Sequence, residues 1–157
     1  MGTLIDQLIQ THPRLEQFDP KSDTDRQRLK ALLEDFYRGR NAGDEIASRL
    51  LDPMAVFCSI GHQRVGFIIY KFPKNLPKVV YITTLGTDSK ERRKGYGEFL
   101  LKAFCAQFKD HSQYNQVMLG VRANNPAAIA LYKQVGFEVI EKGVDDGVEF
   151  LRMSLKL

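Results

Sequence analysis

The sequence holds only two cysteines, Cys58 and Cys105, and three histidines, His12, His62 and His111. The cysteines form no CxxC pair and the histidines are scattered, so no zinc-type ligand spacing exists and no metal is expected. So little cysteine also suits a reducing compartment. A membrane helix needs about 20 successive apolar residues, and no run approaches that length. The start, Met-Gly-Thr-Leu-Ile-Asp-Gln, has no basic segment, carries Asp6 inside its only apolar stretch and leads to no small-residue cleavage site. A signal peptide is therefore not expected. Asp6 also stands where an N-myristoylation motif needs Ser or Thr. These absences predict a cytoplasmic chain without a membrane partner. Repeats, linkers and low-complexity segments are missing too, which predicts a single domain over residues 1–157.

What is present suits an ordinary globular protein. The 157 residues are 43% hydrophobic and 27% charged, with ten Phe and six Tyr. A chain of this size buries roughly 70% of its unfolded surface, so a real core is available. The net charge of +4 and pI of about 9.1 are modestly basic. Much of the excess is local, since residues 90–94 carry four positive charges against one negative. One such cluster, with no aromatic platform beside it, does not predict a nucleic-acid partner.

Leu4, Ile5, Leu8 and Ile9 give Thr3–Gln10 a helical spacing, readable as a packing helix or a dimer contact. Arg14 to Phe18 reads as a short strand. Ser22 to Asp25 looks like a helix N-cap, followed by Leu29, Leu32, Leu33, Phe36 and Tyr37 on one helical face. A second helix spans Asp44 to Leu51. Met54 to Ile60 and Arg64 to Phe72 read as a hairpin joined at Gly61-His62-Gln63, and Lys78 to Thr87 as the next strand. An amphipathic run from Glu98 to Lys109 comes next, then a buried strand, Val117 to Val121. Pro126 opens a further helix, and Gly136 stands at its C-cap. Phe137 to Glu141 and Glu149 to Leu157 form the last strands, turned by Asp145-Asp146-Gly147. The order β-α-α-β-β-β-α-β-α-β-β predicts a mixed α/β fold, with a mostly antiparallel central sheet flanked by helices on both faces.

Two stretches carry chemistry. The first, Arg92-Arg93-Lys94-Gly95-Tyr96-Gly97, sits between a strand and a helix. The first N–H groups of a helix have no internal acceptor, glycines permit close approach, and the helix dipole and three cations favour an anion, above all phosphate. Such a short pattern also reads as a merely solvated basic turn. It is no Walker A loop, because Gly-Lys-Ser/Thr is absent, and no dinucleotide fingerprint, because Leu100 replaces the third glycine. The second runs from Asn125 to Phe137. It is a capped helix with small residues (Ala127, Ala128, Ala130) and Tyr132, a phenol of ordinary pKa about 10 or simply a core tyrosine.

Together the two stretches resemble the GCN5-related N-acetyltransferase (GNAT) superfamily. Arg92-x-x-Gly95-x-Gly97 is similar to that family's acetyl-CoA pyrophosphate loop, and Asn125-x-x-Ala128-x-x-x-Tyr132-x-x-x-Gly136-Phe137 to its second motif. The likeness covers Val79 to Leu157, and the element order of the first half agrees. It implies an acetyl-CoA-dependent N-acetyltransferase. Backbone N–H groups of Arg93, Lys94, Gly95, Tyr96 and Gly97 would hold the pyrophosphate, with Arg92 as the matching motif residue beside them. Leu85, Gly86 and Thr87 would pair with the pantetheine arm, with an N–H near Leu85 polarising the thioester carbonyl. Asn125 and Ala128 would border the arm, and Tyr132 would protonate the leaving thiolate. The acceptor would be a small-molecule amine or a peptide or protein amine, attacking directly without an acyl-enzyme.

The likeness has a gap. The two positions where relatives carry a glutamate base hold Lys78 and Gly120 here. Deprotonation of the amine would then run through a water chain, or through Glu91, Asp35 or Glu149. Asp35, Tyr37, Asp44 and Glu45 could face a cationic amine, or form solvated polar faces. Use of another acyl-CoA, or CoA binding without catalysis, remains an alternative. A homodimer would use Thr3–Gln10 or the C-terminal strand.

Overall fold

The structure, a computed structural model, describes residue 4 and residues 12–157. The helix expected over Thr3–Gln10 lies, apart from Leu4, outside the described residues. Seven strands form one sheet in the order β1-β2-β3-β4-β5-β7-β6. They are β1 (Arg14–Gln17), β2 (Met54–Ile60), β3 (Gln63–Lys71), β4 (Val79–Thr87), β5 (Gln116–Arg122), β6 (Glu138–Asp145) and β7 (Val148–Lys156). The helices are α1 (Asp23–Phe36), α2 (Gly43–Arg49), α3 (Tyr96–Ala106) and α4 (Pro126–Val135). The pairs β1–β2, β5–β7 and β6–β7 are antiparallel, and β4–β5 is parallel. The expected mixed, mostly antiparallel architecture is thus observed.

The chain divides into two compact units. One takes the described residues up to Ile69 together with Thr84–Leu100. Ser22 caps its α1 by accepting the Asp25 N–H at 3.2 Å. The helical periodicity of α1 then buries Leu29, Leu32, Leu33 and Tyr37 in a cluster with Phe57 and Phe67 of the hairpin. This cluster requires a residue without a side chain in β4. A Cβ on Gly86 would stand 2.8 Å from Phe36 and 2.9 Å from Phe67.

The other unit takes Tyr70–Thr83 and Leu101–Leu157. Its β4–β5 ladder runs from Val79–Gln116 to Ile82–Leu119. Beyond Leu119, β5 continues through Gly120–Arg122 and stays paired with Arg152–Phe150 of β7. Leu101, Phe104, Val117, Leu119, Phe137 and Met153 are buried. Strand β6 runs past the expected Glu141 to Asp145, through a register shift between Val139 and Glu141. A bulge absorbs one residue without ending the strand, so the alternation of the sequence is interrupted where the pairing is not.

Both cysteines are core residues, Cys58 in β2 and Cys105 in α3. Burial pushes the Cys58 thiol up from 9.0 to about 11 and that of Cys105 to about 12. Neither has the thiolate character of a nucleophile.

This packing makes two measurable differences to stability. Gly86→Ala should lower the unfolding free energy by about 1–3 kcal/mol, the usual cost of overpacking, read as a lower urea midpoint at unchanged slope. The thiols ionise more easily in the unfolded chain than in the folded one. Their contribution is therefore complete below pH 9 and is lost as the pH rises through their folded values. The urea midpoint should fall continuously from pH 9 to pH 12, and a midpoint that holds steady there would contradict the assignment.

Candidate active site

The first unit carries the loop Arg92–Gly97, where an anion is expected. Strand β4 delivers Leu85, Gly86 and Thr87, and Asp88 turns the chain into a short 3-10 helix, Ser89–Glu91. The backbone then becomes left-handed twice, at Arg93 (φ 66°) and Gly95 (φ 81°). A Cβ on Gly95 would meet nothing within 4 Å, so glycine is needed there for its φ and not for space. Arg92, just before them, is extended at φ −69° and ψ 159°, so the two positive-φ residues stand singly in the turn that leads into α3. The Gly95 carbonyl accepts the Phe99 N–H at 3.0 Å and so starts α3. Helix geometry leaves the amides of Tyr96 and Gly97 without an intrahelical acceptor.

The three cations of this loop are not equivalent. Arg92, Arg93 and Lys94 are all exposed. Lys94 Nζ lies 2.6 Å from Glu91 Oε2, and this pairing raises its pKa. Arg92 feels Asp35 of α1. Asp35 accepts the Ser89 N–H at 2.9 Å and the Ser89 hydroxyl at 2.8 Å, and pairs with Arg38 at 2.9 Å. Burial disfavours its charge, but these bonds and the nearby Arg38 and Arg92 outweigh it and hold the carboxyl below its ordinary value. Asp35 is thus neither a solvated polar residue nor a poised base.

A second polar group of the same unit was not read from the sequence. Arg49 Nε donates to the buried Thr84 Oγ1 at 3.0 Å. Tyr37 is buried, which raises its pKa, and its hydroxyl joins Glu45 and Thr84 in hydrogen bonds. Asp44 stays exposed. The alternation of β4 contained the signal: Thr84 is the one polar residue at its even, buried positions, and a buried hydroxyl demands partners.

The second unit carries the second motif. Asn125 caps α4, its side-chain oxygen accepting the Ala128 N–H at 3.2 Å, and Pro126 opens the helix. That oxygen is committed to the helix, while the amide NH2 of Asn125 keeps its donors. Gly136 ends α4 at φ 119°, as expected. Tyr132 is 8% exposed, with its ring 6.1 Å from that of Phe137. Burial alone pushes its phenol to about 12, so it is protonated across the physiological range.

Gly120 also lies in this unit. A Cβ there would stand 3.3 Å from the Tyr81 hydroxyl, so Tyr81 borders the space that a longer side chain at 120 would enter. Arg122, Ala123, Asn124, Gly147, Val148 and Glu149 line an open cleft of about 410 Å³ where β5 ends and the β6–β7 turn begins. The Ala123 N–H donates to the Glu149 carbonyl at 3.0 Å and ties the two segments together. Among the described residues, no group of His, Cys, Asp and Glu is arranged to hold a metal ion, and no helix is long and apolar enough to cross a membrane.

Known proteins share both the sequence pattern and the fold. Over 104 residues the chain is 34% identical to N-alpha-acetyltransferase 30 of Xenopus laevis, an alignment that takes 62% of this chain and 37% of that protein. This chain therefore matches only about a third of that relative's length. The ribosomal-protein-S18-alanine N-acetyltransferase of Escherichia coli superposes with a TM-score of 0.73 at 18% identity, over 92% of this chain and 94% of that one. A chain of the NatC complex bound to Gag peptide and CoA superposes with a TM-score of 0.73 at 16% identity, over 94% and 99%. At such identities the superpositions speak for the fold. The model of the acetyltransferase (GNAT) family matches residues 24–137, with Arg92–Gly97 and α4 both inside the match, and the chain belongs to that family.

Proposed function

We propose that the chain moves an acetyl group from acetyl-CoA to a primary amine, and that this amine is the N-terminal α-amine of a polypeptide. The observation that carries the donor half is the turn at the head of α3, with Arg93 and Gly95 at positive φ and the first amides of the helix free of intrahelical acceptors, a setting that favours an anion such as pyrophosphate. The acceptor half rests on the 34% identity to N-alpha-acetyltransferase 30. The cleft edged by Asn124 and Glu149 is the candidate seat for the peptide.

In this reading the amides from Arg93 to Gly97 take the pyrophosphate. The edge of β4 at Leu85, Gly86 and Thr87 pairs with the pantetheine arm, and the amide of Asn125 bonds to it near Ala128. The neutral amine attacks the thioester carbonyl carbon, and an N–H near Leu85 stabilises the developing oxyanion. The C–S bond breaks as the N–C bond closes. Tyr132 donates its proton to the departing thiolate and regains one from solvent. The proton lost by the amine leaves through a water chain, with Glu149 at the edge of the cleft as the carboxylate alternative, since Asp35 is tied to Ser89 and Arg38 and Glu91 is paired with Lys94. The thiols of Cys58 and Cys105 are buried and protonated, which supports direct attack over an acyl-enzyme.

The test is release of free thiol from acetyl-CoA in the presence of peptides with free or blocked N-termini and of small amines. Turnover with the free peptides and none with the blocked ones is expected. Tight CoA binding without turnover on any acceptor would refute the catalytic reading. Tyr132→Phe should lower kcat about a hundredfold or more while leaving CoA affinity nearly unchanged. Equal losses in both would show a packing role only.

A further inference from the structure

Two side chains of α1 reach Asp88 and Ser89, just before the loop Arg92–Gly97, from a distant part of the sequence. We propose that Arg28 and Asp35 are positioning residues for the loop Arg92–Gly97, acting on a bound anion only through Asp88 and Ser89. The inference rests on the reading of that loop as a pyrophosphate site.

Residues 28 and 35 are seven positions apart on α1, two turns, and so share a face. They grip two consecutive residues of the chain. Arg28 Nη2 donates to Asp88 Oδ2 at 3.0 Å. Arg28 is itself fixed to β3, with Nε and Nη2 donating to the Arg64 carbonyl at 3.1 and 2.6 Å. Asp88 uses its other carboxylate oxygen to accept the Lys90 N–H at 3.0 Å, and its own N–H donates to the Val65 carbonyl at 2.7 Å. Asp35 then holds Ser89 by both N–H and hydroxyl. Helix α1 does not itself favour Asp35 there, since a carboxylate in the last turn opposes the helix dipole.

The clamp matters because the left-handed turn at Arg93 lies only four residues beyond Ser89. An arginine turns left-handed only where its surroundings impose that conformation. The turn has two fixed ends. Helix α3 begins on one side, and the Asp88–Ser89 clamp stands on the other. Loss of the clamp lets the 3-10 helix and Arg92 swing and disperses the amides offered to the anion. One effect opposes this. Removing Asp35 also frees the field of Arg92, which would favour an anion. Arg92 is exposed, so that gain is screened by solvent and salt, whereas the loss of geometry is not. The net expectation is weaker anion binding.

The pyrophosphate can be present or absent in the probe. Calorimetric titration of the full chain with CoA and with pantetheine, beside turnover with acetyl-CoA and S-acetylpantetheine, separates the loop from the rest of the site. Asp35→Ala and Ser89→Ala should each weaken CoA about tenfold, the worth of a hydrogen-bonded pair with one charged partner. The double variant should lose no more than either single one. Pantetheine affinity, kcat at saturating acetyl-CoA and kcat/KM for S-acetylpantetheine should stay at the wild-type level. Should Asp35→Ala unfold, Ser89→Ala and Asp35→Asn carry the same comparison. Unchanged or tighter CoA binding, additive losses, or equal losses for both probes would overturn the proposal. A wild-type chain that binds no CoA would instead overturn the reading of the loop itself.

Discussion

The left-handed backbone at Arg93 is the constraint around which the first unit is arranged. An L-residue in that region costs about 1–2 kcal/mol, so the conformation persists only where both flanks hold it. One flank is α3, whose first accepted bond starts at Gly95. The other is Asp88–Ser89, tied to α1 by Arg28 and Asp35 and to β3 by Val65. Position and orientation of α1 depend in turn on its apolar face. Leu29, Leu32 and Leu33 settle against Phe57 and Phe67, and the missing side chain at Gly86 lets Phe36 close over β4. Hydrophobic burial places the helix, the helix fixes two polar residues, and those residues bound a strained loop.

That order explains what could be read in the sequence. Periodicity revealed the elements, since Met54–Ile60 is β2 to the residue and the α1 stripe is the buried one. Local chemistry revealed the ends, in the Ser22 and Asn125 caps and the Gly136 C-cap. The start of α3 lies earlier than the amphipathic run from Glu98 suggests, at Tyr96. Its first turn is shaped by the loop and the glycines, and not by an apolar face. The motif residues of the loop were legible because a glycine at positive φ and a basic turn leave a local signature. Asp35 was not, because its partner Ser89 is 54 residues away and nothing near Asp35 in the chain marks it. The Arg49–Thr84 bond was hidden for the same reason. Tertiary hydrogen bonds between polar side chains carry no sequence period, whereas the strands that bring them together do.

The titratable groups divide by environment in a way that narrows the chemistry. Buried groups with no charged partner, Cys58 and Tyr132, have their pKa pushed up by burial alone and stay neutral. A neutral phenol can give a proton, whereas a neutral buried thiol can hardly attack a thioester. Asp35 shows the opposite balance, in which hydrogen bonds and nearby arginines outweigh burial and keep it ionised. It anchors Ser89 through the serine N–H and hydroxyl. Lys78 and Gly120 carry no carboxylate, and a Cβ at 120 would stand 3.3 Å from the Tyr81 hydroxyl.

The loop's basic charge also has a smaller part than its composition suggests. Lys94 is compensated by Glu91, and Arg92 faces the carboxylate of Asp35. Exposed charges are in any case screened within about 10 Å at moderate salt. What the charges do not provide is the shape of the turn, which rests on positive φ at Arg93 and Gly95. That shape depends on dihedral angles, and the dihedral angles depend on the flanks. The backbone, more than the arginine-lysine run, is what ties the loop to the packing of α1, through Asp88 and Ser89.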